Sequence, residues 1–397
     1  LKNYDVAVIG GGIIGCSTAY YLSKAGKKVL ILEKNGIGSG TSSACDGFIY
    51  LQTKKAGIHL KLAMESAKIY ECLSDELGYE VHYKRTGGLI LIENEELLEI
   101  MEHVVEEQKK IGIDIDIISG NLAREIEPAL SENIMAASYS SWDGHVNPID
   151  ATLAYARAAE DNGTEIWCNT PVEDLIINEG RVEGVITSKG AVKAEYIVNA
   201  CGVWAPEVGK MAGMDIPIKP RRGHTLVTEA LAPMLNKVLL DARYIAIKHH
   251  PEMAKNTEDR SLQLGIGLSI EQTESGNLLI GNNREFAGFD TDTTFEVTKE
   301  IAKYCSRFVP FLKDVNIIRT FTGLRPYTPD GMPILGKVDG LEGMIMAAGH
   351  EGDGIALAPM TGVLMAELIA EGKTSMDIDM FNYSRFADRL VFEGGVK

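Results

Sequence analysis

The spacing of apolar and polar positions divides this chain into alternating strand and helix patterns. Residues 4–9, YDVAVI, are mostly apolar with β-branched members, the pattern of a strand buried on both faces of a parallel sheet. A helix is predicted over about 13–25, closed by Gly26, and a second buried strand, VLILE, ends on Glu33. Residues 58–77 carry apolar positions at helical spacing and read as an amphipathic surface helix. GGLILIE (87–93) switches to strand character, EELLEIMEHVVEEQKKIG returns to a charged helix, and NLAREIEPAL (121–130) is a short helical segment. Residues 148–163 predict a helix with Asp150 near its start and Gly163 as its stop. A strand, a β-meander through Gly180 and Gly190, and a buried strand, YIVNACG, follow. Between 221 and 289 the strands are HTLVTE, YIAIKHH and LLIGNNREF, with EMAKNTEDR as an exposed loop. A helix near 294–308, the segment FTGLRPYTPDGMPILGKV, the strand GMIMAAG, the turn GHEGDG and a last helix complete the pattern.

The first two strands and their helix enclose Gly10, Gly12 and Gly15, spaced Gly-x-Gly-x-x-Gly, with Ile13 and Ile14 opening the helix. The first glycine permits a tight turn, the second lets a pyrophosphate approach bare backbone, and the third lets helix and strand pack closely. Glu33, followed by Lys34, stands where this fold places a carboxylate on ribose hydroxyls, which disfavours a 2′-phosphate and so NADP. The following loop offers Ser39, Thr41, Ser42 and Ser43 as further phosphate donors. This unit alone leaves FAD and NAD both open. The strand-turn-helix at 343–371 supplies a second helix N-terminus, able to stabilise the negative charge of a reduced flavin, and a NAD site calls for no such distant element. YIVNACG ends with Ala200 and Gly202, where backbone can approach a ligand.

Composition narrows the functional classes. With 39 basic and 56 acidic residues in 397, the net charge of -17 repels phosphate backbones, so nucleic-acid binding is not expected. No apolar run reaches bilayer length and no charged-then-apolar leader precedes the first strand, which leads to the expectation of a cytoplasmic protein without a membrane span. The six scattered cysteines support neither a disulfide framework nor a metal cradle, and the pair His249–His250 reads as a solvated loop rather than a metal site.

Over essentially the whole length, VAVIGGGIIG with Glu33, GTSSACDGF, YIVNACGVWA, GLRPYTPDGMPILG and GHEGDGIALAPMTG resemble the glycine oxidase, D-amino acid oxidase and sarcosine oxidase family of FAD-dependent oxidoreductases. LSIEQTESGNLLIGNNREFAGFD is most similar to the flavin subunits of opine oxidase, hydrogen cyanide synthase and proline or hydroxyproline dehydrogenases. The resemblance implies an α/β protein: a Rossmann-type FAD-binding domain from 1–82, 142–218 and 320–397, and a substrate-binding α+β domain on a large, mostly antiparallel sheet from 83–141 and 219–319. It implies that Gly10, Gly12, Gly15, Glu33, Thr41 and Ser42 hold the ADP half, that Val172 meets the adenine, and that Gly349, His350, Glu351, Gly352, Asp353, Gly354 and Ile355, with Gly323 and Arg325, border the flavin. The turn before the last helix lacks the cysteine that tethers flavin in some relatives, so FAD is expected to be non-covalent.

The activity so implied is oxidation of a carbon–nitrogen bond beside a carboxylate in a small amino or imino acid, by hydride transfer to FAD. Arg325, in GLRP, matches the family's carboxylate-binding arginine; the alternative is a structural arginine holding its turn. Tyr244 and Lys248 alternate along the expected strand YIAIKHH and would share a face toward the flavin, or toward solvent. His350 and Asp353 either tune the flavin or cap the helix, and Arg222 and His224 read as solvated sheet-edge residues, with a binding role as the alternative. The expected arrangement is a flavin subunit passing electrons to a heteromeric partner; a stand-alone oxygen-using oxidase and a non-catalytic flavin-binding subunit are the alternatives.

Overall fold

The computed structural model of the chain describes residues 2–249 and 257–386, and at Lys248 and His249 the backbone alone. Strand β1 (Lys2–Ile9) lies inside an eight-stranded sheet, with Val6, Ala7 and Val8 fully buried. It pairs in parallel with Val29–Leu32 on one side and with Gly190–Asn199 on the other, and the latter pairs in parallel with Met344–Ala348. The outer strands Glu165–Trp167 and Ile334–Lys337 extend the two edges, and the meander Val172–Asn178 and Arg181–Thr187 hangs from Gly190–Asn199. The first and last strand-turn-helix units, over 330 residues apart in sequence, are thereby brought into one layer.

Their helices pack together. Gly362 of the last helix (Gly354–Ala370) lies so close to helix α1 (Ile13–Lys24) that a Cβ there would stand 2.8 Å from the Ser17 carbonyl. Ser17 Oγ donates to Ala358 O at 2.9 Å. Pro359 falls inside this helix and has no N–H for the Ile355 carbonyl one turn back; the buried Tyr70 hydroxyl donates to that oxygen instead, at 2.7 Å.

The second sheet also has eight strands, in the order Ile317–Tyr327, Lys219–Ala230, Asn277–Gly281, Ser269–Gln272, Val238–Asp241, Gly88–Ile92, Ala136–Ser140 and Ile115–Ser119. All neighbours are antiparallel except Val238–Asp241 with Gly88–Ile92. Helices cover both faces: Ile90 and Ile92 share one hydrophobic cluster with Met101 and Val105 of Glu95–Ile111, while Leu89 and Leu91 share another with Val297 and Ile301 of Phe295–Phe308. This is the alternation a strand buried on both sides requires. Both sheets agree with the fold class expected from the sequence. Among the described residues no helix is long and apolar enough to cross a membrane.

Two local expectations are corrected. Residues 244–249 of YIAIKHH belong to a helix, Ala242–His249, not a strand, and His250 lies outside the described residues. Asp241 Oδ1 accepts the Tyr244 N–H at 2.8 Å in the manner of an N-cap, and Ala242, Ile245 and Ala246, at helical spacing, are buried. Residues 58–77 form two helices, Ile58–Tyr70 and Leu73–Leu77, rather than one. Most of EMAKNTEDR lies outside the described residues; at its end Asp259 caps the short helix Arg260–Gln263.

Candidate functional site

A long cavity of about 310 Å³ runs from Glu33 past the glycine loop to Arg325 and the turn before the last helix. Its first end is built by backbone. Gly10, at φ 109°, lies so near Ala200 that a Cβ would stand 2.6 Å from the Ala200 oxygen, and one on Gly15 would stand 1.9 Å from the Gly10 oxygen. Gly12 ends the loop as the N-cap of α1 and gives no side-chain cap, so the first-turn N–H groups beyond Ile13 are left for whatever the cavity holds. Ser42 Oγ accepts the Ile13 N–H at 3.0 Å and keeps its own proton to donate. Glu33 is oriented by the N–H groups of Gly11 and Asn35, both at 2.8 Å. A carboxylate has about four acceptor positions, so capacity remains for ribose hydroxyls.

Gly10, Gly12, Ile13, Ile14, Glu33, Lys34, Ser39, Thr41, Ser42, Val172, Ala200 and Gly202 all line this end. Two hydroxyls behave differently from expectation. Thr41 Oγ1 donates to Leu324 O at 2.7 Å, which ties the loop to the second sheet instead of offering that proton to a phosphate. Ser43 is exposed, outside the cavity lining, and donates to Gly40 O. Lys34 Nζ lies 3.7 Å from the centre of the Trp204 ring, a lining residue that the sequence reading passed over.

Arg325 stands at the other end, on the strand Ile317–Tyr327. Its guanidinium lies over bare Gly223, where a Cβ would come within 2.1 Å of Nη1, and its Nε is 3.4 Å from the position a Cβ on Gly352 would take. Among the described residues one hydrogen bond holds it, from Nη1 to Asn283 O at 3.1 Å. Removal from bulk water lowers its pKa, with Arg284 acting in the same direction and Asp46 against it.

Asp46, between the turn Thr41–Ser43 and the strand Phe48–Ile49, lines the same end. Burial and the neighbouring Glu271 charge push its carboxyl up to about 6, against the attraction of Arg325. Glu271 is held by the Gly47 N–H at 2.9 Å and by His145 at 3.5 Å. Lys54 is buried in the cavity wall, with Nζ 2.7 Å from Asp353 and 2.9 Å from Thr53 Oγ1. Its loop is fixed by fully buried groups: Asp143 accepts from Leu51 N and Gln52 Nε2, and Gln108 Nε2 donates to the carbonyls of Gln52 and Lys54.

The turn Gly349 to Ile355 lines the cavity throughout. Burial depresses His350 to about 3, so it is neutral at physiological pH, with Nε2 3.2 Å from Thr361 Oγ1. Asp353 does not cap the last helix with its side chain; it pairs with Lys54 and lies 3.5 Å from His59. Glu351, at φ 54°, pairs with Arg221. Tyr244 lines the cavity with its ring under the Arg284 guanidinium, at 3.6 Å. The Lys248 side chain lies outside the described residues; among the described residues the lysine that lines the Arg325 end of the cavity is Lys54. Arg222 and His224 are not solvated: Arg222 is buried against Glu285 and Asp290, and His224 bonds to Asn283 and to the Thr294 N–H. Among the described residues no group of three or more His, Cys, Asp or Glu could hold a metal ion.

Asp46, Lys54, Trp204, Arg221 and Arg284 were not singled out from the sequence. Asp46 alone carried a signal, a charged residue inside an otherwise small and apolar cofactor-loop motif. Bare glycine backbone, an oriented carboxylate and a second uncapped helix N-terminus together fit a flavin adenine dinucleotide lying along the cavity.

Comparison with known proteins agrees with this geometry. The chain is 30% identical to hydrogen cyanide synthase subunit HcnC of Pseudomonas protegens, over 98% of both chains. Its structure superposes on that of L-proline dehydrogenase from P. horikoshii with a TM-score of 0.88 at 30% identity, covering 98% of this chain and 99% of the other. Glycine oxidase from Geobacillus kaustophilus follows with 0.86 at 28% identity, covering 97% and 99%. Residues 5–368 match the family DAO, FAD dependent oxidoreductase, and the chain belongs to that family.

Proposed function

We propose that this chain is the catalytic flavin subunit of an amino or imino acid dehydrogenase that oxidises the carbon–nitrogen bond beside a carboxylate. The observation that carries the reading is the Arg325 guanidinium, shielded at the cavity end and lining it, with one protein acceptor among the described residues. A bidentate carboxylate suits that guanidinium. In this reading Gly10, Gly12, Ile13, Ile14, Gly15, Glu33, Lys34, Ser39, Ser42, Val172, Ala200 and Gly202 hold the ADP half. Gly323 and the turn from Gly349 to Ile355 border the ring, and the domain division is that expected from the resemblance except that the strand Ile317–Tyr327 goes with the second sheet. FAD, when bound, supplies the hydride acceptor.

The chain's own residues then orient and deprotonate the substrate. Arg325 fixes the carboxylate, and with it the adjoining carbon. Asp46 is ionised above about pH 6 and receives the proton of the substrate ammonium, because hydride leaves carbon only when nitrogen offers its lone pair. Lys54 and Asp353 lock the wall to the turn, His350 remains neutral, and Tyr244 closes the cavity over the substrate.

An electron-accepting partner subunit is supported by the relative named as a synthase subunit and by Phe286, Phe295 and Ile318, all more than 60% exposed in the single chain. We place the protein in the cytoplasm, in keeping with its unpaired cysteines. Anaerobic titration of the FAD-bound protein with glycine, sarcosine, proline enantiomers and hydroxyproline tests the reading by bleaching of the flavin band. Slow reoxidation on admitting air would mark a dehydrogenase, and rapid reoxidation with stoichiometric peroxide the stand-alone oxidase. A flavin that no amino or imino acid bleaches would count against catalysis.

A further inference from the structure

Two further arginines, Arg221 and Arg284, gather beside Arg325, just behind the residues that line its end of the cavity. Arg221 stands directly opposite Arg325 in the register of the antiparallel strands Lys219–Ala230 and Ile317–Tyr327, so both side chains leave the same face. Like charges at directly opposed positions destabilise a sheet. An antiparallel bridge between Arg222 and Glu285 carries the next position, Arg284, alongside Gly223, the bare residue on which the Arg325 guanidinium lies. Three guanidiniums therefore converge, in a protein whose net charge is -17.

Their neutralisation is incomplete. Arg221 pairs with Glu351 and lies over the Tyr327 ring. Among the described residues Arg284 has the Tyr244 ring, not a carboxylate, against its guanidinium. The Nε–H groups of Arg221 and Arg284 are both buried without an acceptor among the described residues. A buried donor without a partner is costly, and guanidinium donors are satisfied best by a carboxylate in their plane. Burial and the two neighbouring arginines bring Arg221 down to about 9, the direction a further anion would reverse.

We propose that Arg221 and Arg284 form a second anion subsite beside Arg325, so that the preferred substrate is an amino or imino acid carrying a second carboxylate. The proposal rests on the reading in which Arg325 holds the first carboxylate, and it narrows the substrate from any small amino acid to a dicarboxylic one. Tyr244, under Arg284 and in the cavity wall, sets the distance between the two subsites.

The test is a spectral titration of the FAD-bound protein, at constant ionic strength, with acetate and propionate against malonate, succinate and glutarate. One of the dicarboxylates is expected to perturb the flavin spectrum at a concentration about tenfold or more below that of the monocarboxylates, the scale of one charge-assisted contact. Arg284→Gln, checked for an intact flavin spectrum, is expected to bring that ratio close to one. Equal affinity of the two classes for the wild-type protein overturns the second subsite and leaves the Arg325 reading standing. A preference that survives in both Arg284→Gln and Arg221→Gln also overturns it. Perturbation by no carboxylate at all rejects the Arg325 reading and the subsite together.

Discussion

Replacing Gly223 by alanine separates the position of the Arg325 guanidinium from its charge. The new Cβ would fall 2.1 Å from Nη1 and 2.8 Å from Cζ and Nη2, whereas ordinary contact begins near 3.4 Å, so the guanidinium must move by about 1.3 Å. The obstacle is the far end of a flexible side chain, and no backbone atom is among the near contacts, so the fold absorbs the change cheaply. The substrate does not: a shift of this size breaks the alignment of a two-point contact with carboxylate. Loss of one hydrogen bond to a charged group is worth about 1.5–3 kcal/mol, which is roughly a 10- to 150-fold rise in dissociation constant. The assay is stopped-flow anaerobic flavin reduction over a range of substrate concentration, with thermal melting of the same preparation. A raised dissociation constant with flavin content and melting temperature unchanged is expected. Unchanged substrate affinity would refute the placement of Arg325 at the substrate.

Other perturbations reach different parts of the account. Gly15→Ala must push α1 from the loop, since its Cβ would lie 1.9 Å from the Gly10 oxygen, and the purified protein is expected to be colourless; an ordinary flavin spectrum would contradict the cradle. Lys54→Met takes the buried ammonium away from the Asp353 carboxylate and is expected to cost about 1.5–3 kcal/mol in urea unfolding, the scale of one hydrogen bond to a charged group. Asp46→Asn is expected to remove an acidic limb near pH 6 from the kcat/KM profile, since a base acts only above its pKa. Asp143 is raised from 3.8 to about 7, chiefly by burial, so its contribution to stability is full below 3.8 and is lost as pH rises through about 7. Asp143→Asn should therefore flatten the pH dependence of unfolding across that window, by at most about 1.4 kcal/mol per pH unit.

The parts legible in the sequence are those in which neighbouring residues determine one another. Gly10, Gly12, Gly15 and Glu33 lie in one strand-turn-helix-strand unit whose geometry local backbone sterics enforce, and the sequence led directly to it. Arg325 was legible because its motif is contiguous. Lys54 was not: beside Lys55 in a polar stretch it resembles a surface residue, and it is buried because Asp353, 299 positions later, meets it. Arg222 likewise seemed solvated, yet Glu285 and Asp290, 63 and 68 positions on, neutralise it in the interior. YIAIKHH alternates as a strand does, but Asp241 caps it and Ile245 and Ala246 find a core at helical spacing. The convergence of Arg221, Arg284 and Arg325 depends on strand register, which no local pattern encodes.

The central claim is that Arg325 holds the carboxylate of an amino or imino acid against bound FAD. Its most direct test is anaerobic reduction of the FAD-bound wild type and Arg325→Gln, side by side, with whichever amino acid bleaches the wild type. The account predicts that the variant keeps its flavin and bleaches only at substrate concentrations raised by about 2–5 kcal/mol of lost binding, the cost of cutting a buried charge pair. Bleaching of the variant at the wild-type concentration would contradict it.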